Sequence, residues 1–155
     1  MIRLPDGRVA VAFQAHNHGH EDYWRLKFER GRGHKETAGW ANWEYARIAG
    51  IVAEKMGEFA TLPLKAIGRP IEVNARTGYS GSLQVDLLED GRFDTPLLRS
   101  RQMTGNLRWQ PLQWEQGDPA SLNGKTIRLR FHLYDTKVFG VRGDGLEIVS
   151  PYGRK

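Results

Sequence analysis

Lys125–Val141, with the sequence KTIRLRFHLYDTKVFGV, is the stretch that decides the fold. From Thr126 to Tyr134 apolar and polar residues alternate strictly, which is typical of a strand buried on one side. One face carries Ile127, Leu129, Phe131 and Leu133, and the other carries Arg128, Arg130, His132 and Tyr134. Burying a large apolar side chain contributes roughly 1.5–3 kcal/mol, so this strand is predicted to lie at the centre of a sheet. The polar residues Asp135–Lys137 are predicted to link it to a second, antiparallel strand, Val138–Val141.

The length and composition indicate one domain, or one domain with a small appendage. The chain has 155 residues, with 18 Gly, five Trp, five Tyr and six Phe, a mixture that favours β structure with many turns. It has no cysteine, which excludes a disulfide framework and thiolate chemistry. No stretch approaches the roughly 20 apolar residues of a membrane span, and residues 1–5 lack the apolar core of a signal peptide. The sequence therefore predicts no membrane partner.

The charge does not point to nucleic acid. A formal net charge of +5 arises from 23 basic and 18 acidic residues, and the two signs are interspersed along the chain. Nucleic-acid binders usually concentrate their basic residues on one face or in one run. An acidic polysaccharide is compatible with this charge, and so is a partner without charge.

The chain before residue 57 contains a predicted hairpin, a polar loop and an ambiguous segment. Ile2–Leu4 is predicted to pair with Val9–Phe13 across a Pro-Asp-Gly-Arg turn. Gln14–Asp22 is predicted to be a loop, and Tyr23–Arg30 a strand. Residues 36–56 fit both patterns, since their aromatic and aliphatic residues can line one side of a helix or alternate along a strand.

The remainder of the chain is predicted to be all β, because short alternating segments are separated by Gly-containing turns such as Thr77–Gly81. The predicted strands are Glu58–Leu64, Ile71–Ala75, Ser82–Leu88 and Leu107–Trp114.

Five segments together resemble a known module in order and spacing: Gly57–Leu64, Ile71–Ala75, Gly81–Asp86, Leu122–Lys125 and Ile127–Phe139. The module is the carboxy-terminal β-sandwich of bacterial proteins related to five-bladed β-propeller glycoside hydrolases of the family 32 and 43 type. The resemblance implies an all-β, jelly-roll-like antiparallel β-sandwich over residues 57–155. It also implies that residues 1–56 are a strand-rich segment, similar to the last propeller blade, that packs on the sandwich.

The same resemblance favours strand over helix for residues 36–56, and it implies an association with carbohydrate and a secreted or periplasmic location. The catalytic acids of those hydrolases lie on earlier blades, so no catalytic residue is carried over to this chain.

Exposed aromatic rings are the first candidate binding groups, because the apolar face of a sugar ring stacks on them while polar side chains bond its hydroxyls. The candidates for a carbohydrate site are Trp24, Trp40, Trp43, Tyr45, Tyr79, Arg128, Arg130 and His132. The arginines in this set have the donor geometry that suits a uronic acid carboxylate. The alternative is that the tryptophans fill the core and that the polar face pairs with acids such as Asp86. Trp109 and Trp114 are predicted to pack in or beside the core.

Histidines two residues apart are the second candidate site. His16, His18 and His20 would project from one side of an extended segment and could hold a divalent metal. The paired spacings of structural zinc sites are missing, so a sugar-contacting loop and a solvated loop remain alternatives. No cofactor is required by any other pattern.

Three functions remain open from the sequence. The first is a carbohydrate-binding module or accessory sandwich that holds a polysaccharide or oligosaccharide without chemistry. The second is a small glycoside hydrolase acting on a plant or microbial polysaccharide with a carboxylate pair, drawn from the acids Glu21, Asp22, Glu44, Glu58 and Asp86. The third is a structural fragment of a larger propeller hydrolase.

Overall fold

A computed structural model describes residues 1–16, 36–66, 69–144 and 146–149, with the backbone alone at residues 16 and 36. The chain divides into two compact units, Met1–Ile48 and Ala49–Lys155, called here the first and second unit. The predicted strand Tyr23–Arg30 lies outside the described residues. Among the described residues no helix is long and apolar enough to cross a membrane.

The first unit contains a three-stranded antiparallel sheet in the order β1-β2-β3. Its strands are β1 (Ile2–Arg3), β2 (Arg8–His16) and β3 (Glu36–Glu44). The predicted amino-terminal hairpin is confirmed, since Ile2 pairs with Ala10 and the Gly7 amide donates to the Leu4 carbonyl across the turn. Gly7 has a φ of 82°, a conformation that glycine adopts without steric cost.

The start of the predicted polar loop is wrong, because β2 continues through Gln14 to His16. These polar residues stay in the strand because their backbone groups pair with Glu36–Ala38 of β3. Ladder hydrogen bonds here outweigh the loop preference of the side chains. Residues 36–56 form strands rather than a helix: β3 and the first part of β4 (Ile51–Ala60), with a turn at residues 45–50 between them.

The second unit is built on a seven-stranded antiparallel sheet. Its strands are β4 (Ile51–Ala60), β5 (Leu64–Lys65), β6 (Ile71–Glu89), β7 (Leu98–Arg99), β8 (Asn106–Pro111), β9 (Thr126–Gly143) and β10 (Glu147–Ile148). The main order is β10-β5-β9-β6-β7, with β4 paired to β9 and β8 paired to β6. This arrangement confirms the all-β class and is consistent with a β-sandwich. Residues 51–56, which were predicted to belong to the amino-terminal segment, are part of β4.

The predicted alternation of β9 is confirmed. Ile127, Leu129, Phe131 and Leu133 are buried, while the polar residues between them are partly or largely exposed. The ring of Phe131 stacks on that of Phe59 in β4, with 4.6 Å between ring centroids. Trp114 packs against the same core, as predicted. Trp109 is half-buried beneath the guanidinium of Arg142, which lies 4.5 Å from the ring centroid.

Two predicted breaks in the sheet are wrong. Asp135–Lys137 does not reverse the chain, because β9 runs unbroken from Thr126 to Gly143 with Asp135 at a φ of 40°. Thr77–Gly81 is not a hairpin turn but an irregular part of β6, lying between the pairs Thr77–Thr136 and Ser82–Tyr134. The physical reason is close approach, since a Cβ on Gly78 or Gly81 would overlap atoms of Asp135. Because Gly78 and Gly81 lack a Cβ, β6 can approach β9 closely at Asp135.

The prediction of a single strand at Glu58–Leu64 is also wrong, because these residues belong to two strands. β4 ends at Ala60, and Leu64 begins β5, which pairs with the first residues of β9. Pro63 falls between the two strands, where its missing amide hydrogen costs no ladder bond.

Candidate functional site

Three neighbouring strands align polar residues on the outer face of the second unit. The registers of β4 with β9 and of β9 with β6 create cross-strand rows on the side opposite Phe131. The rows, each read from β4 to β6, are Met56–Tyr134–Ser82, Glu58–His132–Gln84 and Ala60–Arg130–Asp86. We call this surface the central face.

Asp86 is buried at one end of the central face and is bonded by three cationic or ionisable side chains. Arg99 makes a bidentate contact, with Nε 2.7 Å from Oδ1 and Nη2 3.1 Å from Oδ2. Arg130 Nη2 lies 2.7 Å from Oδ2, and His132 Nε2 lies 2.9 Å from the same oxygen. Burial by itself raises the pKa of Asp86, but the hydrogen bonds from Arg99, Arg130 and His132 outweigh it and hold the pKa well below its usual range.

His132 connects this ion cluster to a second carboxylate. Its Nδ1 lies 3.1 Å from Oε2 of Glu58, so both ring nitrogens face carboxylate oxygens. The Glu58 side chain is about half exposed, at 53%, whereas that of Asp86 has no exposed surface. The two acids therefore differ sharply in their access to solvent.

An open groove of about 580 Å³ lies on the central face. It is lined by Met56, Gly57, Glu58, Ser82, Gln84, Gln102, His132, Leu133 and Tyr134. Met56 and Tyr134 contribute exposed apolar surface, at 86% and 46% exposure. Nε2 of Gln84 donates to the Ser100 carbonyl at 3.0 Å and to Glu115 at 3.2 Å, which fixes the orientation of its amide. The groove thus combines apolar surface with a few oriented polar groups.

The structure brings together only part of the predicted carbohydrate site. Arg130 and His132 meet at Asp86, and His132 lines the groove. Arg128 lies on the same strand, where Nε donates to Asp90 at 2.7 Å and Nη1 to the Thr61 carbonyl at 3.2 Å. The bonding of the arginines to acids follows the alternative that the sequence left open.

The predicted aromatic residues do not form one platform. Trp40, Trp43 and Tyr45 belong to the first unit, and the two tryptophans, three residues apart on β3, project to opposite faces of its sheet. Tyr45 is exposed, with the Arg3 guanidinium 4.8 Å from its ring centroid. Tyr79 is fully exposed in the irregular part of β6. Trp24 lies outside the described residues.

The predicted histidine site cannot be placed. His18 and His20 lie outside the described residues, and His16 is described only as the last residue of β2. Within residues 1–16, 36–66, 69–144 and 146–149, no group of three or more His, Cys, Asp or Glu side chains is arranged to hold a metal ion.

Sequence reasoning missed several residues of the groove. Met56 and Gln84 became site residues only through the register of β4 and β6 with β9. The same register places Glu58, which the sequence offered only as a candidate catalytic acid, beside His132. The alternation of Gln84 and Asp86 along β6 is a signal that could have placed Gln84 beside His132. Gln102 lies in an irregular segment and carried no such signal.

Within the part of the chain that the structure describes, Glu58 and Asp86 at the central face are not arranged as the facing carboxylates of a glycoside hydrolase. Such enzymes need two carboxyl groups about 5–10 Å apart across the substrate. Glu58 is accessible, but Asp86 is buried and both of its oxygens are occupied by Arg99, Arg130 and His132. The geometry of these two acids suits binding and structural support rather than proton transfer to a sugar.

Comparison with protein-family models, with curated proteins and with solved structures gives no match. The likeness to the sandwich of propeller hydrolases therefore stays a prediction.

Proposed function

We propose that the second unit is a non-catalytic carbohydrate-binding module and that the groove of the central face is its ligand site. The observation that carries this proposal is the composition of the groove. A half-exposed Tyr134 and an exposed Met56 lie beside the polar groups of Glu58, Gln84 and Gln102. Sugars offer both apolar C–H faces and hydroxyl groups, so a site of mixed surface suits them.

The groove is also held in place before a ligand arrives. Its floor is formed by β4, β9 and β6, which pair across the centre of the sheet. His132 is fixed between Asp86 and Glu58, and Gln84 is fixed by Ser100 and Glu115. Rigid groups lose little conformational entropy on binding, which favours affinity for a weakly interacting ligand.

The test is a panel of neutral glucans, xylans, fructans and uronic-acid polymers, assayed for binding and for release of reducing sugar in the same tubes. Intrinsic fluorescence and calorimetry would report binding. We expect binding to at least one polymer, no sugar release, and loss of binding in Tyr134→Ala. Release of sugar would replace this proposal with a hydrolase, and a complete lack of binding would refute it.

A second candidate is a structural accessory role, and it rests on the first unit. Phe13 and Trp40 are 44% and 61% exposed on opposite faces of its sheet, and Ile48, beyond the end of β3, is 46% exposed. Such surface favours contact with a larger assembly. Size-exclusion chromatography with light scattering would test this, since Trp40→Ser should then abolish any concentration-dependent association of the chain.

A further inference from the structure

The arginines on and beside the central face make hydrogen bonds to protein acceptors. Arg99 and Arg130 bond Asp86, and Arg130 Nη1 also donates to the Phe93 carbonyl at 2.9 Å. Arg128 bonds Asp90 and the Thr61 carbonyl. Recognition of a uronic acid carboxylate relies on a guanidinium that can present two parallel donors to it. These three side chains have their forks turned to Asp86, Asp90 and the backbone instead.

The groove presents one accessible carboxylate, that of Glu58. Nδ1 of His132 lies 3.1 Å from its Oε2, and Nε of Arg130 lies 3.8 Å from its Oε1. Glu58 lines the groove with a half-exposed carboxylate, and the neighbouring lining groups Ser82, Gln84, Gln102 and Tyr134 carry no charge at neutral pH. His132 is the basic group of the lining, and its two ring nitrogens are directed at Asp86 and Glu58. A ligand in the groove therefore meets a carboxylate acceptor, amides and hydroxyls.

From these two observations we infer that the groove takes an uncharged sugar and discriminates against the corresponding uronate. The inference rests on the proposed carbohydrate-binding function and names its substrate class. Hydroxyl groups of a neutral sugar donate to the Glu58 carboxylate, whereas a uronate carboxylate placed there is repelled by it. The chain carries a formal net charge of +5, so anionic polymers are also attracted to its surface outside the groove.

The experiment uses two matched pairs of oligosaccharides with the full-length chain: cellohexaose with its C6-oxidised form, and methyl-esterified with de-esterified galacturonic acid oligomers. Affinities are measured by calorimetry at about 0.15 M and about 1 M salt, where the Debye length is about 8 Å and about 3 Å. Surface attraction is screened at the higher salt, so groove binding dominates there. At the higher salt concentration, we expect the neutral member of a pair to bind at least about ten-fold more tightly than its charged counterpart.

Glu58→Gln is the decisive variant, with Glu54→Gln as the matched control. Both changes remove one negative charge from β4, but Glu54 is absent from the lining of the groove. Glu58→Gln should lower the affinity for the neutral sugar somewhat and reduce the preference for the neutral sugar over the uronate to about three-fold or less. Glu54→Gln should retain the preference.

The outcomes separate the two proposals. Binding of uronate as tight as that of the neutral sugar at high salt overturns this inference and leaves the carbohydrate-binding function in place. A preference that persists in Glu58→Gln also overturns it. Failure of both pairs and of the polysaccharide panel refutes the binding function and this inference with it.

Discussion

Nε2 of His132 lies 2.9 Å from Oδ2 of Asp86, and this contact joins the buried ion cluster to the solvent-exposed groove. The other ring nitrogen lies 3.1 Å from Glu58, so a buried acid orients the imidazole that faces an accessible acid. Arg99 and Arg130 compensate the charge of Asp86 from two further strands. Asp86 thus ties β6, β7 and β9 together and also positions a wall of the proposed ligand site.

Removal of the Asp86 charge should destabilise the second unit. Asp86→Asn removes the negative charge that Arg99, Arg130 and His132 share and replaces one acceptor oxygen by an amide donor. The expected loss is about 3 kcal/mol, at the lower end for a broken buried pair because Arg99 and His132 retain contact with water. Denaturant unfolding measures this loss. Asp90→Asn is the control: its pair with Arg128 is partly exposed, so the cost should be about 1 kcal/mol or less. Equal losses in the two variants would contradict the role given to Asp86.

The low pKa of the Asp86 carboxyl predicts that the second unit loses stability in acid. The pKa of Asp86 in the folded chain lies below its ordinary value of 3.8, so the unfolded chain binds the proton more readily. Its contribution to the free energy of unfolding is therefore complete above about pH 4 and is lost as the pH falls towards the lower, folded-state pKa. Unfolding measured from about pH 7 to about pH 2 should show this loss, and Asp86→Asn should reduce it.

Asp6 provides the control for that measurement. The backbone and side-chain bonds from Arg8 lower its pKa too, but this acid lies at an exposed turn of the first unit. Asp6→Asn should leave the acid-dependent loss of the second unit unchanged. If Asp86→Asn and wild type lose stability in parallel below about pH 4, another acid is responsible.

The two glycines of the irregular part of β6 should respond differently to alanine. A Cβ on Gly81 would overlap the backbone carbonyls of Asp135 and Tyr134, whereas one on Gly78 would meet the movable carboxylate of Asp135. Gly81→Ala should therefore cost about 2–3 kcal/mol of unfolding free energy, as in an overpacked core, and Gly78→Ala about 1 kcal/mol or less. Asp135→Ala should rescue Gly78→Ala and fail to rescue Gly81→Ala. If Asp135→Ala rescued both variants, the Asp135 side chain alone would limit how closely β6 and β9 approach each other.

The same region explains how far the sequence could predict the fold. The alternation in Ile127–Leu133 is local, so it identifies a half-buried strand without knowledge of any partner. The continuity of β6 and β9 is not local, because Gly78 and Gly81 act as turn formers alone but as points of close approach when opposed to Asp135. Their role depends on a residue more than fifty positions away, which periodicity cannot reveal.

The candidate site was predictable to a similar extent. Arg130 and His132 follow from the polar face of β9, and an acid partner such as Asp86 follows from the charge pattern. The groove depends on register between strands, which aligns Met56 with Tyr134 and Glu58 with His132. Aromatic content alone favoured Trp40 and Trp43, yet these residues belong to the first unit and project to opposite faces of its sheet.

Substitution of Tyr134 should show whether the sugar binds in the groove or on the aromatic residues of the first unit. Tyr134→Ala removes the ring proposed to stack on the sugar and should weaken binding about ten-fold or more, while Tyr134→Phe, which keeps the ring, should retain most of the affinity. Trp40→Ala is the control, since this exposed ring lies on β3 and should leave the affinity for the oligosaccharide unchanged. Calorimetry measures each affinity. Denaturant unfolding checks that Tyr134→Ala remains folded, which we expect because Tyr134 is 46% exposed. Loss of binding in Trp40→Ala with retention in Tyr134→Ala would move the ligand site to the first unit, because stacking affinity follows the ring that the sugar contacts.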